Sequence, residues 1–321
     1  MRTKGMKLNV ALLIFNRPDL TRVVFEVIRK AKPDCLLVVA DGARSDKVGE
    51  AEKCAAVRKV IDDGIDWPCE VRKNYSESNL GCRLRVSSGL SWVFEQVEHC
   101  IVLEDDCLPD PTFFPFCQTL LEEYSDDPRI MAISGDNFQI QRRRTGYSYS
   151  FSDIVHVWGW ATWRRAWQKY DVELSLWPEI KRGNWLKDLL GNEEQKQYWS
   201  SCFDACIEGL DTWDYQWLFA CWVNRGLCIL PSCNLISNIG FQPDATHTVK
   251  LDNKVASLAT QPMQFPLIAP PFMIRDREAH DHTFSRLLRP SKMQKLRQFL
   301  AKSALLRKLV RRSRAIKRHG K

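Results

Sequence analysis

Between residues 8 and 103, short apolar runs alternate with stretches of helical periodicity. That alternation restricts the fold more than any other feature of the chain. Leu8–Phe15, Cys35–Ala40, Cys69–Lys73 and Ile101–Leu103 read as strands. Between them, Asp19–Lys30 carries Leu20, Val23, Val24, Val27 and Ile28 at helical spacing, and Arg83–Val97 carries Val86, Leu90, Val93, Phe94 and Val97. Lys47–Ile61 reads as a third helix, closed by Asp-Asp-Gly. Strands alternating with helices predict an α/β fold with a doubly wound, mostly parallel sheet flanked by helices. No GxGxxG follows the first strand and no GxxxxGK(S/T) occurs, so the dinucleotide fingerprint and the P-loop are both absent.

The fourth apolar run stops abruptly in Glu104-Asp105-Asp106, followed by Cys107-Leu108-Pro109-Asp110. In open α/β sheets, ligands sit outside the carboxyl ends of the strands. Three adjacent acids there repel one another, and burying them is costly. Mg²⁺ or Mn²⁺ relieves that cost, since both prefer carboxylate oxygens and share them with nucleotide phosphates. The alternative is a solvated loop whose acids cap the next helix. Asp110-Pro111 in particular reads as an N-cap followed by proline at the first helical position.

The chain's 321 residues allow one large or two modest domains, and 45% hydrophobic content supports a core. Twelve cysteines are scattered without a CxxC pair, several of them in apolar runs. They read as reduced thiols in a cytosolic compartment, not as a disulfide framework or zinc site. The basic then apolar start leads straight into Asn16-Arg17-Pro18, as a first core strand and not a signal peptide. No run of 18 apolar residues exists to span a membrane. The net charge of +8 belongs to the end of the chain, because His282–Lys321 holds 14 Lys and Arg and no acid. The remainder, with 33 basic against 39 acidic residues, is mildly acidic, which argues against a nucleic-acid partner.

Beyond the acids, Thr112–Tyr124 reads as a helix, Ile130–Ser134 as a strand and Gly135-Asp136-Asn137 as a turn. Gln141–Ser150 reads as a mobile loop, Asp211–Arg225 as a helix, Cys228–Leu230 as a strand and Asn234–Thr248 as a loop. Pro262–Pro271 reads as a linker or wrapping segment. Ten of the twelve tryptophans lie between Trp158 and Trp222. About half are expected in the core, and the others suit a carbohydrate surface. The expected division is a domain over 1–270 in two halves, 1–150 and 151–270, then a linker and tail over 271–321.

These motifs resemble the GT-A-fold glycosyltransferases that use nucleotide sugars. The resemblance is greatest to the inverting N-acetylglucosaminyltransferase I type, which has Glu-Asp-Asp where most relatives have Asp-x-Asp. The matching segments are Leu13–Arg17, Val38–Asp41, Val102–Asp106 with Pro111–Phe114, Ile133–Asn137, Trp158-Gly159-Trp160 and Trp213–Trp217. They span roughly residues 7–248. Asn79-Leu80-Gly81 is similar to a segment of bacterial nucleotide-diphospho-sugar transferases. The resemblance implies that Arg17 contacts the diphosphate, that Asp41 accepts a hydrogen bond from uracil, and that Glu104 and Asp105 line the ribose. Asp106 would coordinate Mn²⁺ or Mg²⁺ between the phosphates, with Asp214 as catalytic base. Asp211 is the alternative base, because Tyr215-Gln216 stands where the family has a second acid before the tryptophan. Asp211 and Asp214 also fit a helix N-cap and first turn. Arg83 and Arg85 are placed to reach the nucleotide or to be solvated. His247 lies where many such enzymes keep a histidine near the metal, and His156 reads as structural.

The expected activity is metal-dependent, inverting transfer from a nucleotide-diphospho-sugar, a UDP-sugar by Asp41, to a glycan or lipid-linked acceptor. The rivals are a nucleotidyltransferase, disfavoured by Asn16-Arg17-Pro18-Asp19 in place of a Gly-rich loop, and a non-catalytic sugar-binding scaffold. Finally, Lys292–Ala315 carries Leu296, Phe299, Leu300, Leu305, Leu306, Leu309 and Val310 among Lys and Arg residues. That is a basic amphipathic helix, suited to an anionic membrane surface or to packing on the body. The expected location is cytoplasmic, peripheral to the inner membrane face.

Overall fold

The computed structural model describes residues 5–139, 144–241 and 258–288. β1 (Asn9–Ile14) leads through α1 (Pro18–Ala31) to β2 (Cys35–Ala40), and α2 (Glu50–Gly64) leads to β3 (Glu70–Tyr75). From there α3 (Gly81–Gln96) returns the chain to β4 (His99–Glu104). Every residue of β1 and β2 is buried, as continuous apolar strands require when helices cover both faces of a sheet. Proline at the first position starts α1 without losing a needed donor. Lys32, left-handed at φ 50°, ends the helix by donating its N–H to the carbonyls of Ile28 and Arg29.

The chain continues through β5 (Cys107–Pro109), α4 (Phe113–Glu123), β6 (Ile130–Ser134), β7 (Tyr149–Ser152) and β8 (Trp160–Trp163). A helical region follows: α5 (Arg164–Trp167), α6 (Trp177–Arg182), α7 (Trp185–Leu190), α8 (Glu193–Ile207) and α9 (Asp214–Val223). β9 (Leu227–Pro231), β10 (Ile236–Asn238) and α10 (Arg277–Thr283) complete the described elements, with a π-helical turn at Phe284–Leu288.

Eight strands form one sheet in the order β3-β2-β1-β4-β8-β6-β9-β7. β1 pairs in parallel with both β2 and β4. β8 is antiparallel between β4 and β6, and β7 is antiparallel to β9. The sheet is mixed and mostly parallel, as expected. Alternate β1 side chains enter opposite layers. Val10 and Leu12 pack with Val24, Phe25 and Phe113, while Ala11 and Leu13 pack with Val86, Leu90 and Trp160. A third cluster, including Trp177, Phe203, Phe219 and Trp222, holds the helical region. A ribbon of β5 and β10 sets Asn238 opposite Cys107, immediately after the acids.

Several expectations are corrected. Eight of the ten clustered tryptophans are buried; Trp158 is half-buried and Trp185 is exposed. The eight are core, with Trp160 stacked on Trp213 at 5.7 Å and Trp167 on Tyr170 at 4.4 Å, and do not offer a carbohydrate surface. The Asn234–Thr248 loop contains β10, and β7 begins inside the segment read as a mobile loop. Helix α4 starts at Phe113, so Asp110 is not its N-cap; the carboxylate instead accepts from the Thr112 N–H at 2.9 Å. All twelve cysteines are free thiols. Pro262–Pro271 is indeed a wrapping segment, held by the Met263 N–H on Thr112 and the Ile268 N–H on Ser148, each at 2.9 Å. Among the described residues no helix is long and apolar enough to cross a membrane. His247 and Lys292–Ala315 lie outside the described residues.

Candidate active site

The chain runs from β1 to β2 and β3 on one side, then returns to β4 on the other side of β1. The carboxyl ends of β1 and β4 therefore flank the point where strand order reverses, which is where such sheets bind ligands. Leu13 is registered against Glu104, so the turn after β1 meets the turn after β4. The Arg17 guanidinium bridges the two neighbouring carboxylates, donating to Asp105 and, at 2.8 Å, to Asp106. The Phe15 N–H also donates to Asp105 at 3.3 Å. This arrangement answers the cost of burying adjacent acids with one fixed cation.

The compensation is incomplete. Burial pushes the Glu104 carboxyl well up, reinforced by Asp106 and Asp105 and opposed by Arg17, with Asp214 a further anion. Burial also raises Asp105, against the pull of Arg17. Asp106 lies under the β10 segment. Its carbonyl accepts from the Ile239 N–H at 2.8 Å, and any Cβ on Gly240 would collide with its carboxylate.

The N-terminus of α3 forms the opposite wall. Its first amides are orphan donors, and two distant carboxylates take them. Asp41 accepts from the N–H groups of Leu80 and Gly81 at 2.9 and 3.1 Å, and also from Gly42 and the Asn79 side chain. Asp211 accepts from Cys82 and Arg83 at 3.1 and 2.7 Å. Gly81 sits at φ +77°, where a side chain would be strained and would press on Asp211. Asp211 thus caps α3 and is not the N-cap of α9, a position held by Trp213. Asp214, the first residue of α9, accepts from the Thr212 hydroxyl. Burial raises the Cys82 thiol, and so do Glu104, Asp211, Asp214 and Asp41, all near enough to act on it.

The other expected residues are placed as follows. Arg83 donates to Glu173 at 2.8 Å. Arg85 is buried and turned to β3, where it donates to the carbonyl and side chain of Asn74 at 2.7 and 2.6 Å. His156 is buried against Asp136, with its Nδ1 at 2.6 Å, and stacks on Phe138 at 4.7 Å, a structural setting. Sequence reasoning missed Glu50. It accepts from Asn16 at 2.8 Å and from Arg44, and so anchors the residue before Arg17. Its carboxyl is held down at about 2, chiefly by the Arg44 hydrogen bond. Gly240 was missed as well. No local pattern marks either one. Among the described residues, no group of three or more His, Cys, Asp and Glu is disposed to hold a metal ion.

No protein family's profile matches the chain, and no curated protein matches it in sequence. Solved structures give loose overlays. One is GalNAc-T7 with UDP, GalNAc and Mn²⁺, at 12% identity and TM-score 0.42, covering 71% of this chain and 43% of that one. A second is UDP-glucose pyrophosphorylase with UDP-glucose, at 8% identity and TM-score 0.33, covering 70% and 90%. A third is the 4-diphosphocytidyl-2C-methyl-D-erythritol synthase of Anaerococcus prevotii, at 11% identity and TM-score 0.32, covering 51% and 75%. Overlays this partial define neither family nor activity.

Proposed function

We propose that this site transfers a sugar from a nucleotide-diphospho-sugar, a UDP-sugar, to a hydroxyl of a glycan or lipid-linked acceptor. The observation that carries the reading is the run Glu104, Asp105 and Asp106 at the reversal point, with one guanidinium, Arg17, paired to Asp105 and Asp106. This cluster is anionic, built of oxygen donors and under-compensated, which suits a hard divalent cation. Asp106 is the residue that would hold Mn²⁺ or Mg²⁺. Its Oδ1 has the Cys107 thiol at 3.5 Å as neighbour and keeps lone pairs for a ligand. The cation would neutralise charge developing on the departing nucleoside diphosphate.

The protein's own groups divide the remaining work. Arg17, at the end of β1, serves the diphosphate and meanwhile holds Asp105 and Asp106 in place. Glu104 and Asp105 line the ribose side. Asp41, already accepting from the α3 loop, takes a uracil N–H only if one of those bonds yields. Asp214 would take the acceptor hydroxyl proton as that oxygen attacks the anomeric carbon, inverting it. The cap on α3 occupies Asp211, which favours Asp214 over it as the base.

The test is incubation of the protein with UDP-sugars, Mn²⁺ and a crude glycan acceptor, following UDP. Metal-dependent UDP release above the acceptor-free rate is expected. Donor binding without turnover on any acceptor overturns the reading in favour of a sugar-binding scaffold. Pyrophosphate release from a nucleoside triphosphate and a sugar phosphate overturns it in favour of nucleotidyl transfer.

A further inference from the structure

We infer that the wrapping segment over 262–274 is a docking surface for an anionic lipid bilayer. The sequence holds no charged residue from Val255 to Ile274. Within its described part, four large apolar side chains stand in solvent: Phe265 at 44%, Ile268 at 58%, Phe272 at 47% and Ile274 at 71% exposure. Four such residues within ten is more than scattered surface apolarity. Backbone bonds, and not these side chains, fix the segment. Ser148 and Ile268 exchange two hydrogen bonds at 2.8 and 2.9 Å, and Phe151 bridges to Arg275. An edge-to-face contact with Tyr147 at 6.0 Å braces Phe272. The apolar groups are presented on a held backbone, so little ordering is lost on docking.

Charge selects the occupant. The acids that follow the segment are paired within the chain: Asp276 and Glu278 share Arg144, and Asp281 faces Arg277. Beyond Asp281 the sequence has 14 Lys and Arg and no acid. A neutral apolar surface, in a chain whose charges beyond Asp281 are all cationic, matches an anionic interface, where the apolar groups enter the acyl boundary and cations face the headgroups.

The experiment uses the full chain with vesicles of phosphatidylcholine alone or mixed with phosphatidylglycerol. Co-sedimentation with the anionic vesicles at low salt is expected, with amide exchange over 262–274 slowed by them. Ile268→Ser with Ile274→Ser, which leaves every cation in place, is expected to weaken binding at least tenfold. Absence of vesicle binding, or unchanged binding by this variant, overturns the inference; the latter assigns binding to the cationic stretch alone. If the double variant misfolds, exchange over 262–274 in the native chain decides. Protection there without vesicles that is lost on truncation after Leu288, or on dilution, overturns it in favour of the chain's own end or a second copy.

Discussion

Asp41 and Asp211, from loops 170 residues apart in the sequence, divide the four amides that open α3. Asp41 takes Leu80 and Gly81, and Asp211 takes Cys82 and Arg83. One wall of the candidate site is therefore built by capping, and both carboxylates are committed to structure before any ligand arrives. Asp211→Ala is expected to lower stability by about 0.5–2 kcal/mol, the usual worth of a helix cap. Urea denaturation checks this, with the loss of midpoint at unchanged slope as the signature.

Asp214→Asn separates the base from the cap. It should lower kcat by about 10² to 10⁴, the contribution of a general base, while UDP-sugar affinity stays near that of the native protein. Single-turnover kinetics with saturating donor read the effect. Unchanged turnover removes the role from Asp214.

Asp106→Ala removes the proposed metal ligand. Mn²⁺-dependent UDP binding should weaken by a few kcal/mol, as expected for loss of a charged partner. Thermal stability without metal should hold, because Asp105 keeps Arg17 paired and an anion beside Glu104 is gone. Calorimetric titration with and without Mn²⁺ tests the first part, and a melting curve the second. A collapse of the melting temperature makes the acid structural.

Glu50 gives a pH dependence with a definite sign. Its carboxyl is lowered from 4.5 to about 2 in the folded chain. Stability from its bonds to Arg44 and Asn16 is therefore present above about pH 4.5 and lost as pH falls through about 2. Glu50→Gln should cost about 1–3 kcal/mol at pH 7, the range for charged hydrogen bonds. The difference from the native protein should close as pH approaches 2. Melting curves between pH 2 and 7 measure it.

The sequence was most legible where periodicity alone decides structure. Cys35–Ala40 and Ile130–Ser134 are strands with the expected bounds, because apolar runs cut off by turn residues leave little freedom. The tryptophans were misread because an indole looks the same in sequence whether its face meets a sugar or another ring. Helices α5 to α7 passed unseen, since they run six residues or fewer, too short to show a period. β10 spans three residues and exists through its pairing with β5. At the site, the acids announced themselves by their position after an apolar run. Their partner Arg17 depends on β4 lying beside β1, a tertiary fact that no local pattern carries.

The ribbon of β5 and β10 also sets an order of assembly during synthesis. The chain from β1 to β4, with the acid turn and Arg17, is translated first. The strand that lies over the turn, and Gly240 against Asp106, are translated more than a hundred residues later. β9 and β10 lie close together in the chain, so the stretch that closes the far half of the sheet also brings the cover for the acids. A nascent chain stalled before residue 227 would hold Arg17 and the acid turn but lack the residues that cover them. Completion of the sheet and closure of the site are thus coupled to the same late segment of the message.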